Sequence, residues 1–204
     1  MSKSQFGQDL QVVEFYKEKR NGFFVEIGAH NGIALSNTYL LETTYQWKGI
    51  CVEPIPYIFT QLVKRRPESI CCDKAVYHTS GLSVEFDIAN DCTVLSGIAE
   101  TINCHKQKVD TNKTTIRVDT ITLNDLLDTY KAPAFIEYLS LDTEGSEYDI
   151  LKSCDFSKYT FGLIDVEHNY KQPRRAQIKD LLLANGYVYL GQNGIDDQYK
   201  HASV

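Results

Sequence analysis

The chain has 204 residues, enough for one α/β domain with a sizeable buried core. Hydrophobic residues at 43% and charged residues at 24% form an ordinary globular balance, which excludes an intrinsically disordered chain. A net charge of -6 lacks the basic face that phosphate binding needs, so the expected partner is a small molecule or glycan rather than nucleic acid.

Residues Met1–Gln5 carry no apolar core and every long apolar run is strand-sized, so neither a secretory signal nor a membrane partner is expected. Six cysteines, Cys51, Cys71, Cys72, Cys92, Cys104 and Cys154, form no Cys-x-x-Cys pair. They read as reduced thiols of a cytoplasmic protein. The short chain also permits a domain taken from a larger multidomain enzyme.

Taken in order, Gln8–Lys19 reads as a helix with Leu10, Val13 and Tyr16 on its apolar face. Phe23–Ile27 is a strand that runs into Gly-Ala-His-Asn-Gly. Asn37–Thr44 is a helix, and Gly49–Glu53 a strand stopped by Pro54 and Pro56. Tyr57–Arg65 is a helix ended by Arg66-Pro67. Ser69–Cys72 starts a third strand. Residues 81–120 break this rhythm as a β-rich insertion or lid: Leu82–Ile88 and Thr114–Val118 alternate as antiparallel strands around a long polar loop, Ala89–Lys113. Thr122–Tyr130 is a helix, Phe135–Leu141 an apolar strand, Glu147–Cys154 a helix, and Phe161–Val166 another strand. Pro173–Ala184 is a helix stopped by Asn185-Gly186, and Tyr187–Leu190 with Tyr199–Ala202 closes the sheet as an antiparallel hairpin. The alternation predicts a single α/β Rossmann-like domain over residues 1–204 with a mostly parallel sheet.

The chemistry gathers first at Val25-Glu26-Ile27-Gly28-Ala29-His30-Asn31-Gly32, where a strand enters a glycine turn. Glycine there lets the backbone approach a ligand and take positive φ. Glu53 ends the next strand, where an acid can accept hydrogen bonds from both ribose hydroxyls of an adenosine. A dinucleotide loop needs glycines at positions 28, 30 and 33; Gly28, His30 and Ile33 satisfy one of the three. An S-adenosylmethionine loop runs acid-x-Gly-x-Gly-x-Gly, with the acid near the methionine ammonium; Glu26, Gly28, His30 and Gly32 satisfy three of four.

At these residues the chain resembles the FkbM-type methyltransferases. The resemblance rests on Ser4-Gln5-Phe6-Gly7-Gln8-Asp9, on Glu26–Gly32, and on Leu35-Ser36-Asn37-Thr38 with Leu41-Glu42. It continues through Gly49–Pro54 and Leu139–Glu147. The family's loop more often has Asp where this chain has Glu26, and Asn where it has His30. The resemblance implies a class I methyltransferase fold, S-adenosylmethionine as cofactor (leaving S-adenosylhomocysteine as product), and methylation of a hydroxyl on a sugar or similar metabolite.

The expected cofactor contacts are Gln8, Glu26, Ile27, Gly28, Ala29, His30, Asn31, Ser36, Asn37, Glu53, Pro54, Asp73, Lys74, Ala75 and Asp142. Asp73-Lys74-Ala75 follows the third strand, where Asp73 would meet the adenine amine. Ser36 and Asn37 reach the methionine end or cap the helix that follows them. Chemistry in an open α/β sheet collects beyond the carboxyl ends of its strands. That makes Asp142, Glu144, Glu167 and His168 the catalytic candidates: Asp142 as base, ligand or hydrogen-bond acceptor, and His168 as a base suited to neutral pH. Alternation puts Glu167 and His168 on opposite faces of their strand. Asp142, Glu167 and His168 could hold a divalent cation, but their spacing matches no metal signature, so no metal is expected. A nicotinamide-dependent oxidoreductase and a non-catalytic cofactor-binding module are the competing readings.

Overall fold

The computed structural model describes residues 1–204. Seven strands form the main sheet in the order β10-β11-β9-β8-β1-β2-β3. They are β1 (Phe23–Ile27), β2 (Lys48–Val52), β3 (Ile70–Cys72), β8 (Phe135–Leu141), β9 (Thr160–Glu167), β10 (Tyr187–Asn193) and β11 (Asp196–His201). All neighbours pair in parallel except β10 with β11 and β11 with β9. The parallel strands are apolar almost throughout because helices cover both of their faces.

Side-chain alternation divides the core in two. Val25, Ile27, Ile50, Val52, Leu139, Leu141, Ile164 and Val166 point to one face. There they meet α5 (Leu123–Thr129), α6 (Glu147–Lys152) and α7 (Arg174–Ala184). Phe24, Cys51, Tyr138 and Leu163 point to the other, under α1 (Gln8–Phe15), α2 (Tyr39–Tyr45) and α3 (Pro56–Arg65). Adjacent Cys71 and Cys72 follow the same rule, packing on opposite faces, and all six cysteines are free thiols. No helix is long and apolar enough to cross a membrane.

Three local readings are corrected. Helix α1 buries Gln8, Asp9 and Val12, leaving Leu10 52% exposed. Its phase is set by Asp9, whose carboxylate accepts hydrogen bonds from Ser2 Oγ, Ser4 Oγ and the Leu10 amide. Helix α2 starts at Tyr39, so Ser36 and Asn37 lie in the turn before it. The segment 89–113 is structured. It holds a 3-10 turn at Thr93–Leu95, strand β6 (Gly97–Ile98) and α4 (Lys106–Thr111). With β4 (Ala75–Val76), β5 (Ser83–Ala89) and β7 (Lys113–Ile121) it forms a second sheet, ordered β4-β7-β5-β6.

One buried cation ties the first loop to this frame. Arg66, only 1% exposed, caps α3. Its guanidinium donates to Glu42 Oε2 at 2.8 Å, Thr38 Oγ1 at 2.9 Å, Ser36 Oγ at 3.2 Å, the Gly32 carbonyl at 3.3 Å and Glu26 Oε2 at 3.4 Å. Glu26 also accepts from Ser36 Oγ, the Asn37 amide and Thr38 Oγ1. Removing one partner of a buried ion pair strands the other's charge, at about 3–5 kcal/mol. Arg66→Met should therefore lower unfolding free energy by about 3–5 kcal/mol in urea titrations. Added to Glu42→Gln it should cost less than the sum of the single changes, because each relieves the charge the other strands. Additive losses would remove Arg66 from this role.

Candidate active site

The carboxyl ends of β1, β2 and β8 open on one cavity of about 950 Å³, mouth included. Its lining changes character in the order of the strands. Beside β2 and β3 it is apolar, from Val52, Ile55, Ala75, Val76 and, reaching over from the second sheet, Phe86 and Ile98. In the middle stand Gly28, Ala29, His30 and Glu53. Towards β8 and β11 it becomes acidic, with Asp142, Glu144 and Asp196. Strands β2 and β8 flank β1. Two strand spacings therefore separate Glu53 from Asp142, about 10 Å.

The glycine turn is shaped by close approach of backbones. Gly28 has φ +87°, and a Cβ there would lie 2.0 Å from the Asp142 carbonyl oxygen. The Gly28 and Ala29 amides donate to the Val52 carbonyl, and the Asp142 amide to the Ile27 carbonyl. These bonds lock the three strand ends together. His30, also at positive φ, turns its Nε2 to Thr93 Oγ1 at 2.9 Å and so joins the turn to the second sheet. Burial and the nearby Arg65 charge hold His30 below the usual imidazole range, so it is neutral at pH 7.

Of the expected cofactor residues, Gln8, Ile27, Gly28, Ala29, His30, Ser36, Asn37, Glu53, Pro54, Ala75 and Asp142 line the cavity. Glu26, Asn31, Asp73 and Lys74 do not. Glu26 lies beneath the turn, its oxygens committed to Ser36, Asn37, Thr38 and Arg66. Asn31 closes a local turn by accepting from the Ile33 and Ala34 amides. Asp73 and Lys74 are exposed beyond β3, so the apolar pair Ala75 and Val76 occupies the wall instead. Ser36 accepts from the Thr38 and Tyr39 amides, which makes it a cap as well as a wall residue. Asn37 donates from Nδ2 to Ser140 Oγ at 3.0 Å, and its buried Oδ1 has no protein partner. Glu53 Oε1 accepts from the Ile55 amide at 2.7 Å. Burial raises the Glu53 carboxyl to about 7, against the pull of that backbone donor.

The acidic end gathers Asp142, Glu144 and Glu167, which each offer a carboxylate oxygen within 4.8 Å of the others. Asp142 is exposed to the cavity, with protein close around its carboxyl. That crowding and the Asp196 and Glu147 charges raise it to about 7. Burial, then Asp142 and Glu147, raise Glu144 to about 9. Glu167, 3% exposed, is pushed well above the carboxylate range by burial and by Asp142. Glu147 is held apart: its Oε1 accepts from Thr143 N, Thr143 Oγ1 and Gly145 N, which fixes the turn after β8.

His168 is not brought to this end. Its Nδ1 accepts from the Tyr170 amide at 2.9 Å, and its Nε2 faces Asp197 Oδ1 at 3.5 Å. Asp197 in turn is gripped by Arg175 and Tyr189. Sequence reasoning missed two contributors. Asp196, which accepts from Gln8 Nε2 at 2.7 Å, joins the wall because β11 runs antiparallel and its start faces the strand ends. Arg66 gave no signal beyond a helix stop.

A model of the methyltransferase FkbM domain matches residues 26–189. The chain belongs to that family. Among solved structures, the methyltransferase FkbM from Methylobacillus flagellatus KT aligns with a TM-score of 0.55 at 13% identity, over 90% of this chain and 44% of that one. The METTL16 methyltransferase domain aligns at 0.54 and 11% identity, over 95% and 66%. A putative rRNA methylase from Clostridium thermocellum aligns at 0.52 and 10%, over 98% and 97%. At these identities the likeness establishes the fold, that of the Rossmann-like class I S-adenosylmethionine-dependent methyltransferases. This chain spans less than half the length of the Methylobacillus protein. No curated protein sequence matches it.

The raised carboxyls have a consequence for stability. Folded Asp142 and Glu144 hold protons to about 7 and about 9, whereas unfolded carboxyls release them near 4. Their favourable contribution is complete below about 4 and is lost as pH rises through those folded values. In chelator-containing buffer, Glu144→Gln should therefore raise the melting temperature more at about pH 8 than at about pH 5. An equal shift at both, read by differential scanning calorimetry, would dissociate Glu144 from this strain.

Proposed function

We propose that the cavity binds S-adenosylmethionine and that the protein transfers its methyl group to a hydroxyl of a sugar, glycan or similar metabolite. The observation that carries this is the ordered lining: an apolar slot, then Glu53, then the glycine turn, then carboxylates. The order and the about 10 Å between Glu53 and Asp142 suit adenine, ribose and a cationic methionine end in sequence. The residues present fit the cofactor at three points. Ile55, Ala75, Val76, Phe86 and Ile98 make an apolar slot for a flat base. Glu53 accepts from ribose hydroxyls with whatever lone pairs the Ile55 amide leaves free. The orphaned Asn37 Oδ1 accepts from the ammonium.

When bound, the cofactor supplies an electrophilic methyl on a positively charged sulfur. The chain's residues supply position and polarity. Thr93, Val94 and Ser96 of the second sheet's 3-10 segment wall the cavity and keep water from the reacting centre. Asp142 accepts the hydrogen bond of the acceptor hydroxyl, which raises the oxygen's nucleophilicity. The net charge of -6 and the acidic rim support a neutral or cationic small acceptor over nucleic acid. Six free thiols support a reducing, cytoplasmic setting.

Two measurements test the reading. Glu53→Ala should weaken S-adenosylhomocysteine binding by roughly tenfold to a hundredfold in calorimetry, the worth of one or two hydrogen bonds to a charged group. In the wild type, affinity should rise by up to roughly tenfold from about pH 6 to about pH 8, because the ionised carboxylate is the better ribose acceptor and Glu53 ionises near 7. Glu53→Gln should flatten that rise. Asp142→Asn should cut turnover on a sugar panel by roughly a hundredfold or more while leaving S-adenosylhomocysteine affinity within about threefold. Full turnover in this variant would displace Asp142 from the acceptor.

A further inference from the structure

We infer that Asp142, Glu144 and Glu167 form a binding site for a hard divalent cation at the acceptor end of the cavity. The site stands on geometry within the acidic end and does not depend on what the rest of the cavity binds. Only the cation's use, which is to orient the acceptor oxygen beside Asp142, rests on the methyl-transfer reading.

Three carboxylate oxygens mutually within 4.8 Å are spaced as ligands of one ion. Oxygens bonded at about 2.1–2.5 Å lie no more than about 4–5 Å apart even on opposite sides of the metal. Carboxylates by themselves are common, but Glu144 adds a separate observation. It is 5% exposed, its carboxylate belongs to this cluster, and its Oε2 makes no hydrogen bond in the protein. An unpaired buried carboxylate oxygen is costly, and nothing else on the chain answers for it. No lysine or arginine ion-pairs with Asp142, Glu144 or Glu167, although such cations neutralise Glu26, Glu42, Asp87 and Asp149. The His105 imidazole faces Glu144, with Nε2 3.8 Å from Oε2, too long for a hydrogen bond.

Three carboxylates suit Mn²⁺, Mg²⁺ or Ca²⁺ rather than a thiolate-seeking metal. The sequence led to no expected metal; in the trio weighed there, Glu144 takes the place of His168, which turns to Asp197.

The test uses the full chain, stripped of metal, with Mn²⁺ as the probe and no cofactor or acceptor present. Loss of the free-ion signal in electron paramagnetic resonance should report one site, and Mg²⁺ and Ca²⁺ should compete for it. Glu144→Gln and Glu167→Gln should each weaken binding by roughly tenfold to a hundredfold. Asp110→Asn, an exposed carboxylate on the same lid, should leave it unchanged. Both glutamine variants remove charge from a like-charged cluster, so they should fold, and circular dichroism checks this. The absence of binding at millimolar Mn²⁺ would overturn the site, as would binding that survives both substitutions. Displacement of Mn²⁺ by saturating S-adenosylhomocysteine would also overturn it, since the carboxylates would then serve the ammonium. Retention of Mn²⁺ under S-adenosylhomocysteine supports it. If S-adenosylhomocysteine fails to bind while Mn²⁺ binds, the cofactor reading falls and the cation site stands.

Discussion

The Arg66 guanidinium, buried against Glu26 and Glu42, is the interaction on which the ligand end of the molecule depends. The strand-to-turn junction after β1 must expose backbone to a ligand, so it cannot be held by packing from above. It is held from below. Glu26 sits on the β1 face that meets α2 and α3, and its carboxylate gathers the donors of Ser36, Asn37 and Thr38. Arg66 returns the charge and binds the Gly32 carbonyl, so both ends of the loop are fixed to one cation. Phe24 and Tyr39 lie 5.3 and 5.9 Å from the guanidinium and exclude water from it. A buried ion pair is poor evidence of stability by itself. Here its product is a loop with few alternatives.

From that fixed loop, polarity is distributed by sheet order. Each strand end contributes one short stretch of wall, and neighbouring strands are about 4.8 Å apart. The chemistry of the cavity therefore changes stepwise from β3 to β11. Charge is concentrated where β8, β9 and β11 meet, with Asp142, Glu144, Glu167 and Asp196 converging from three strands. No cation of the protein joins them, in contrast to the carefully neutralised Glu26 network two strands away. The same fold thus treats its carboxylates in two ways: one set compensated by Arg66 and structural, the other gathered at a cavity with no lysine or arginine beside it.

Much of this was legible in the sequence. Strands β1 and β8 were readable to the residue because apolar runs end abruptly at Gly28 and Asp142. The final hairpin was legible, but not its extent: residues 191–197 read as its loop, whereas the strands run to Asn193 and resume at Asp196, which hid Asp196 as a wall residue. What was not legible has a common cause, which is polar groups buried with partners far away in sequence. Hydrophobic periodicity gave α1 the wrong phase because it cannot register that Asp9 is buried on its own hydrogen bonds. Glu26 matched the motif position of a ligand contact, but its partner Arg66 lies 40 residues on. The short elements between 89 and 113 have no periodicity to read. Alternation did separate Glu167 from His168, and the structure sends them to different neighbours: Glu167 to Asp142, His168 to Asp197.

The second sheet explains why the acidic end holds its protons. A cavity built only from strand ends would be open to water, which would screen its carboxylates and lower their proton affinity. Phe86 and Ile98 cover the apolar slot, Thr93 latches to His30, and His105 closes on Glu144. Gly145 admits this closure: a Cβ there would meet the Thr101 carbonyl at 2.2 Å. The second sheet therefore sets the dielectric of the site as well as its shape. It reaches the apolar slot through Phe86 and the carboxylates through His105, so the two ends of the cavity share one wall.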